Sequence, residues 1–207
     1  MMKMMKRCLL PVVVLGSLLL VQPARAADSK SDGDWKTLFN GKDFTGWVVM
    51  NAPEFSVTNG LIHLGRGSGW LRTEKEYTDF ILEAEWRPLE ARYNSGFFVR
   101  TKLEGKPFPP DAWQVNLKEA GVGELLIGSA NRVPSVTPAV PLNQWVKFRI
   151  EARGKKLTLD VDGKRAWEFN ELEPARGYIG LQSEGKSFDF RNLRLQELGA
   201  SSLPASK

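Results

Sequence analysis

Apolar and polar residues alternate along most of this chain. In the run Phe80-Ile81-Leu82-Glu83-Ala84-Glu85-Trp86-Arg87, the side chains of Phe80, Leu82, Ala84 and Trp86 fall on one side and those of Glu83, Glu85 and Arg87 on the other. Trp113 to Lys118 and Val146 to Ala152 repeat the pattern. A side-chain period of two marks a half-buried strand. Leu157 to Val161 and Lys164 to Phe169 are two further strand-like runs separated by Asp162-Gly163. That dipeptide supplies the positive φ values a two-residue hairpin turn requires. Tyr178 to Gln182 and Phe188 to Leu195 complete the predicted strands. No long stretch keeps the 3.6-residue apolar spacing of an amphipathic helix. Many short strands with Gly and Pro between them predict an all-β fold, a two-sheet antiparallel sandwich of the jelly-roll kind.

The alternation also says which side chains are left for chemistry. The apolar faces must pack against another sheet, so the opposite faces present Glu83, Glu85, Arg87, Gln114, Asn116 and Lys118. Side by side on neighbouring strands these would form a polar, concave binding surface. Scattered, they are ordinary solvated sheet. Tryptophans divide by register: Trp86, Trp113 and Trp145 fall on apolar positions and are expected in the core. Trp70 follows the Gly-rich stretch Gly65 to Gly69 and is expected exposed beside a site. That stretch lacks the Lys-Ser/Thr ending and following helix of a phosphate loop.

The first residues break the strand pattern. Lys3, Lys6 and Arg7 precede an apolar run from Cys8 to Val21, and Ala24-Arg25-Ala26 follows. This is the layout of a signal peptide spanning 1–26, cleaved after Ala26, and it predicts an exported, periplasmic or secreted protein. The apolar run is shorter than the ~20 residues a spanning helix needs, so no membrane association is expected after cleavage. Charge then changes meaning. Of 29 basic and 24 acidic residues, four basic ones and no acid lie in that segment, leaving a nearly neutral mature chain. Its basicity gives no argument for nucleic acid. The single cysteine, Cys8, leaves as well, so no disulfide, thiolate nucleophile or cysteine metal ligand is expected. About 180 remaining residues suffice for one self-supporting core. The segments 27–34 and 199–207 read as polar, disordered tails.

Several motifs, in order, carry a resemblance. They are Trp35-Lys36-Thr37-Leu38-Phe39-Asn40-Gly41-Lys42-Asp43-Phe44-Thr45-Gly46-Trp47, Phe55-Ser56-Val57-Thr58-Asn59-Gly60, Leu71-Arg72-Thr73 and Tyr77-Thr78-Asp79-Phe80. Then follow Glu85-Trp86-Arg87, Asn94-Ser95-Gly96-Phe97-Phe98-Val99-Arg100, Gly177-Tyr178-Ile179-Gly180-Leu181-Gln182 and Phe190-Arg191-Asn192-Leu193-Arg194. Over residues 34–198 the chain resembles the bacterial 3-keto-disaccharide hydrolase domains. The resemblance implies a concanavalin A-like jelly roll acting on glycosides whose 3-hydroxyl has been oxidised to a ketone. Such a ketone acidifies the C2 hydrogen, so a base, a donor for the developing enolate and often a cation are the chemistry needed. By resemblance the site falls on Glu85, Arg87, Asn94, Arg100 and the strand 113–119, with Glu85 as base and Arg100 and Asn94 on substrate oxygens. One departure stands out. The family pattern aromatic–Glu–x–Gln–x–x–Asp reads here Trp113-Gln114-Val115-Asn116-Leu117-Lys118-Glu119, with a neutral amide in place of the first carboxylate. Gln can neither act as a base nor serve as an anionic metal ligand. Glu119 is the candidate to compensate from the strand end, and a non-catalytic carbohydrate-binding domain is the alternative function.

Other candidates have plainer readings. Glu83 reads as a surface charge, and Arg100 has a second reading as the partner of a structural ion pair, with Glu85. Asn94-Ser95-Gly96 suits the turn into a strand. His63, the only histidine, excludes any site built on several imidazoles. Asp160-x-Asp162-Gly163 resembles the start of a calcium loop but lacks its remaining acids, and the hairpin accounts for it. A divalent cation such as calcium stays open as a cofactor, with no ligand set to name.

Overall fold

The computed structural model describes residues 33–51 and 53–199; the signal-peptide segment and most of both predicted tails lie outside the described residues. Among these residues there are strands and no helix. In chain order they are β1 (Trp35–Thr37), β2 (Trp47–Met50), β3 (Phe55–Thr58), β4 (Leu61–Leu64), β5 (Ser68–Tyr77), β6 (Phe80–Pro88), β7 (Ser95–Thr101) and β8 (Trp113–Lys118). Then come β9 (Gly121–Ile127), β10 (Ala130–Val133), β11 (Val146–Arg153), β12 (Lys156–Val161), β13 (Lys164–Phe169), β14 (Gly177–Glu184) and β15 (Phe188–Glu197). One sheet runs β13-β12-β11-β6-β15-β4-β3, with β1 also paired to β15; the other runs β10-β9-β8-β7-β14-β5-β2. Every pairing is antiparallel, and neighbours far apart in sequence, such as β6 with β15 and β7 with β14, give the crossed connectivity of a jelly roll.

Alternation makes the two layers stick. On β11 every second residue is buried, and Val146, Phe148, Ile150 and Ala152 face the other sheet. Phe97, Val99, Val115, Leu117 and Leu181 answer from the opposite layer. The centre is aromatic. Trp86 meets Phe148 edge-on with ring centroids 5.4 Å apart, and Phe97 meets Phe190 at 5.8 Å. Such tilted pairs add to the area they bury. The Asp162-Gly163 turn has φ of 47° and 79° at its two residues, so β12 and β13 are joined by the predicted tight hairpin. Asp162 Oδ1 also accepts from the Lys147 amide, and Asp160 pairs with Arg165 and Arg149.

Four expectations about single residues are corrected. Trp70, expected exposed, is completely buried, because the segment between β7 and β8 folds over it. Trp145, expected in the core, is half-buried on the outer surface between the guanidiniums of Arg87 and Arg191, at 4.7 and 4.0 Å from its ring. Glu83, expected as a surface charge, is buried beneath Lys147 and Arg194, which hold it at 2.8 and 2.6 Å. Arg100 is wholly buried, and its ion-pair partner is Asp79 rather than Glu85.

Candidate functional site

The two sheets turn their polar faces in opposite directions, and this separates the residues that sequence alone grouped together. Glu83, Glu85 and Arg87 lie on β6, in the sheet with β11 and β15; Gln114 and Asn116 lie on β8, in the other sheet. Each outer face holds a depression, of about 510 Å³ beside Glu85 and about 650 Å³ over β7, β8, β9 and β14.

On the β6 face the charges are matched. Glu85 Oε2 accepts from Arg191 Nε at 2.8 Å and its Oε1 accepts from Asn192 at 2.8 Å. Burial acts to raise its pKa, but the Asn192 and Arg191 hydrogen bonds and the charges of Arg191 and Lys147 outweigh it. The carboxyl is held below its ordinary value. Arg87 Nε and Nη2 both donate to Asp189 Oδ2, whose other oxygen, Oδ1, lies 2.8 Å from His63 Nδ1. The register explains this cluster: Ser56, His63, Asp189 and Arg87 are direct cross-strand neighbours on β3, β4, β15 and β6. Opposite charges so placed satisfy one another.

The β8 face is built from three rows of cross-strand neighbours. The first joins Gly180, Phe98, Gln114 and Leu126; the second joins Trp70, Gln182, Gly96 and Asn116. The third is reached two residues further along the same strands, at Glu184, Asn94 and Lys118. Gly96 matters here because a Cβ at that position would come within 2.5–2.8 Å of the Gln114 side chain. Its bareness lets the amides of β8 and β14 meet across β7. Gln114 Nε2 donates to Gln182 Oε1 at 2.8 Å, and its second hydrogen is shared between the Ser95 carbonyl at 3.2 Å and Asn116 Oδ1 at 3.4 Å. Asn116 Nδ2 donates to Glu124 Oε2 at 2.9 Å, and Asn131 donates to Glu124 Oε1 at 3.1 Å. The result is a continuous amide chain ending on a carboxylate. Buried polar groups linked in this way hold one another in fixed orientations.

Glu184 stands at the edge of this chain. One of its oxygens accepts from Asn94 Nδ2; the other has no hydrogen-bond partner among the described residues. The residue reaches solvent, yet the groove shields its carboxyl. That desolvation pushes the pKa above the ordinary 4.5, against the opposing charge of Lys118. A carboxyl so raised is better matched to proton transfer near neutrality than one held low by a guanidinium.

Asn94, Gln114 and Asn116 are thus brought together, while Glu85 and Arg87 lie on the opposite face. Arg100 donates to the carbonyls of Thr78 and Gly154 and to Asp79, tying the β5–β6 and β11–β12 turns. Its buried fork is committed to the fold. Glu119 holds the Arg92 amide at 3.0 Å from the β8–β9 turn and is not part of the groove wall. Trp70 packs edge-on against Phe98 at 5.7 Å on the same outer face, beneath the β7–β8 loop, and does not line the groove. Sequence reading passed over Glu184, Glu124 and Gln182 as chemistry-bearing residues. Alternation carried two residues past Gln182 would have found Glu184; glycines at 121 and 123 obscured the strand that carries Glu124. Among the described residues no group of three or more His, Cys, Asp or Glu side chains is arranged to hold a metal ion.

Residues 34–196 match the family model of the 3-keto-alpha-glucoside-1,2-lyase-like domain. Among solved structures, a candidate glycosyl hydrolase from Parabacteroides distasonis is similar with a TM-score of 0.67 and 22% identity, covering 80% of this chain and 94% of that one. A carbohydrate-binding module from Bacillus subtilis gives 0.60 at 15% identity, with 72% and 94% covered. The β-glucanase of Bacillus licheniformis gives 0.53 at 13%, with 81% and 99% covered. At these identities the likeness is one of fold. Comparison with curated proteins finds no significant match.

Proposed function

The chain belongs to the 3-keto-alpha-glucoside-1,2-lyase-like domain family, and from that premise we propose that it cleaves 3-keto-glycosides in the groove across β7, β8, β9 and β14. The observation that carries this reading is Glu184, a carboxyl with a raised pKa, held by Asn94 on the groove wall beside a fixed amide network. Glu184 takes the proton from C2 of the sugar, and the electron pair passes toward the C3 ketone to give an enolate. Lys118, whose positive charge already acts on Glu184, stabilises that oxyanion together with amide donors of the network. Collapse of the enolate restores the C3 ketone, forms the C1–C2 double bond and expels the oxygen at C1, which takes up the proton that Glu184 carries and so returns the carboxylate. Addition of water across that double bond returns a 3-keto sugar. The base assigned by resemblance, Glu85, lies on the other face with both oxygens engaged and its pKa lowered, so the reading rests on Glu184 instead.

A second reading, a carbohydrate-binding domain without turnover, is favoured by the same amides, which pair well with hydroxyls and neither take up nor give up a proton at neutral pH. The deciding experiment is aglycone release by the protein from a 3-keto-glucoside and from its unoxidised parent, each with divalent cation and with chelator. Release from the keto substrate alone supports the lyase reading. Binding of either sugar without release supports the second.

A further inference from the structure

Along the strands of the β8 face the central side chains become less polar toward the β7–β8 loop, with Asn131, Ser129 and Lys106 at the margin of that end. The row of Glu184, Asn94 and Lys118 is charged, and the row of Gln182 and Asn116 is amide. The row of Phe98, Gln114 and Leu126 is mostly apolar. Beyond it lie Ala112 and Gly128, joined by a hydrogen bond of 3.2 Å, and then the loop carrying Phe108 and Pro107, Pro109 and Pro110. This loop is seated firmly. Asn51 donates to the Pro107 carbonyl at 2.7 Å, and the ring of Phe108 packs on that of Phe98 at 5.9 Å. The Pro110 carbonyl approaches Gly128 so closely that a Cβ there would lie 2.4 Å from it.

We infer that the Phe98–Phe108–Leu126 end of the groove, walled by three prolines, is a subsite for an apolar, aromatic or alkyl aglycone. The inference rests on the sugar occupying the polar end, as proposed above. Proline has no backbone N–H, so three of the loop's residues offer no donor. A second sugar unit placed there would lose water from its hydroxyls and find few side-chain partners, Gln114, Lys106 and Ser129 being the polar ones at that end, which is unfavourable. An aryl group loses no hydrogen bonds on entering, and gains contact with the ring of Phe108, which Phe98 backs, and with Leu126. The groove thereby sets the orientation of its substrate: C1 and its leaving oxygen lie between the amide row and the aromatic wall, with the sugar's C2 toward Glu184. Specificity follows from the outgoing group as much as from the sugar.

The test compares phenyl 3-keto-glucoside with a 3-keto-disaccharide in the wild-type protein, Phe108→Ser and Phe108→Leu. The serine variant is expected to lose about tenfold in kcat/KM on the phenyl substrate while staying within about threefold on the disaccharide. The leucine variant is expected to keep most of the phenyl preference, which shows that the loop still seats. Equal losses on both substrates, or none on either, would overturn the subsite. If nothing is turned over, calorimetry with unoxidised phenyl glucoside and methyl glucoside decides the matter separately. A phenyl advantage of about tenfold that Phe108→Ser removes upholds the subsite even though the lyase reading has failed. Phenyl and methyl glucosides binding alike, or neither binding, would overturn it.

Discussion

On the outer face beside β6 each acid answers a base: Glu83 with Lys147 and Arg194, Glu85 with Arg191, Asp189 with Arg87. On the outer face beside β8 the polar residues are chiefly amides, and Glu184 has Asn94 as its hydrogen-bond partner. Both faces are made by the same alternation and carry acids on their central strands. Their consequences for proton chemistry are opposite. Pairing lowers the pKa values of Glu83 and Glu85, whereas desolvation in the groove raises that of Glu184. A carboxylate already bonded to a guanidinium gives up that bond when it takes a proton, so it is a poor base. One lifted by its surroundings accepts a proton more readily. The difference lies in what the neighbouring strands bring, not in the acid itself.

The sharpest way to break this comparison is to neutralise one acid on each face. Glu184→Gln is expected to lower kcat on a 3-keto-glucoside by about a hundredfold or more, the usual scale for loss of a general base. Glu85→Gln is expected to leave it within about threefold, while both variants keep the far-ultraviolet spectrum of the wild type. The reverse outcome would move the chemistry to the β6 face.

Next in size is the stability held on the paired face. Glu83 lies beneath Lys147 and Arg194, and Arg149 approaches to 3.9 Å. Because those cations reach solvent and can rehydrate, Glu83→Gln is expected to cost about 1–2 kcal/mol, less than the 3–5 of a fully buried pair. The sign with pH follows from the lowered pKa. Burial opposes the shift, and the Lys147 and Arg194 hydrogen bonds overcome it. A depressed carboxyl stabilises the fold above its unfolded value near 4.5, and the gain is lost as pH falls through the folded value. Urea titrations of wild type and variant should therefore converge on acidification. A gap that persists unchanged below the folded value would mean the effect is packing rather than charge.

How far this contrast was legible beforehand depends on what alternation can report. The strands Trp113–Lys118 and Lys164–Phe169 and the Asp162-Gly163 turn appear where the period predicted them, because each is a local property of the chain. Alternation also placed Glu85 and Gln114 each on a polar face. It has no way of saying that the two faces point apart, since that depends on β6 pairing with β15 and β8 with β7, across long separations. Trp70 shows the same limit: nothing in its neighbourhood signals that a loop some forty residues later covers it. Gln114, which looked like a lost carboxylate, proves to be the donor that joins Gln182 to Asn116.

That last residue gives a smaller test. Gln114→Leu leaves the Gln182 and Ser95 oxygens without their donor and frees Asn116 to turn. It is expected to raise KM by about tenfold, the worth of one good hydrogen-bonding group, with kcat less affected. Arg87→Leu, the same loss of a polar group on the opposite face, should leave KM unchanged. Similar effects from both would erase the distinction between the faces.

The smallest effect expected is on the stability of the groove itself, and its sign is opposite to that at Glu83. The carboxyl of Glu184 is raised by desolvation, so the folded protein favours its protonated form. Whatever this contributes to stability is complete below the unfolded value near 4.5 and is lost as pH rises through the folded value, leaving a charge held at a cost. Glu184→Gln removes that cost. The variant should therefore melt slightly higher than wild type at neutral pH and level with it at low pH. Solvent access to Glu184 and the countercharge of Lys118 keep the difference small. A gain in stability coupled to a loss of turnover is the pattern of a residue kept for chemistry rather than for the fold. A variant that melts lower at neutral pH would instead show Glu184 to be one more satisfied partner, like the acids across the sandwich.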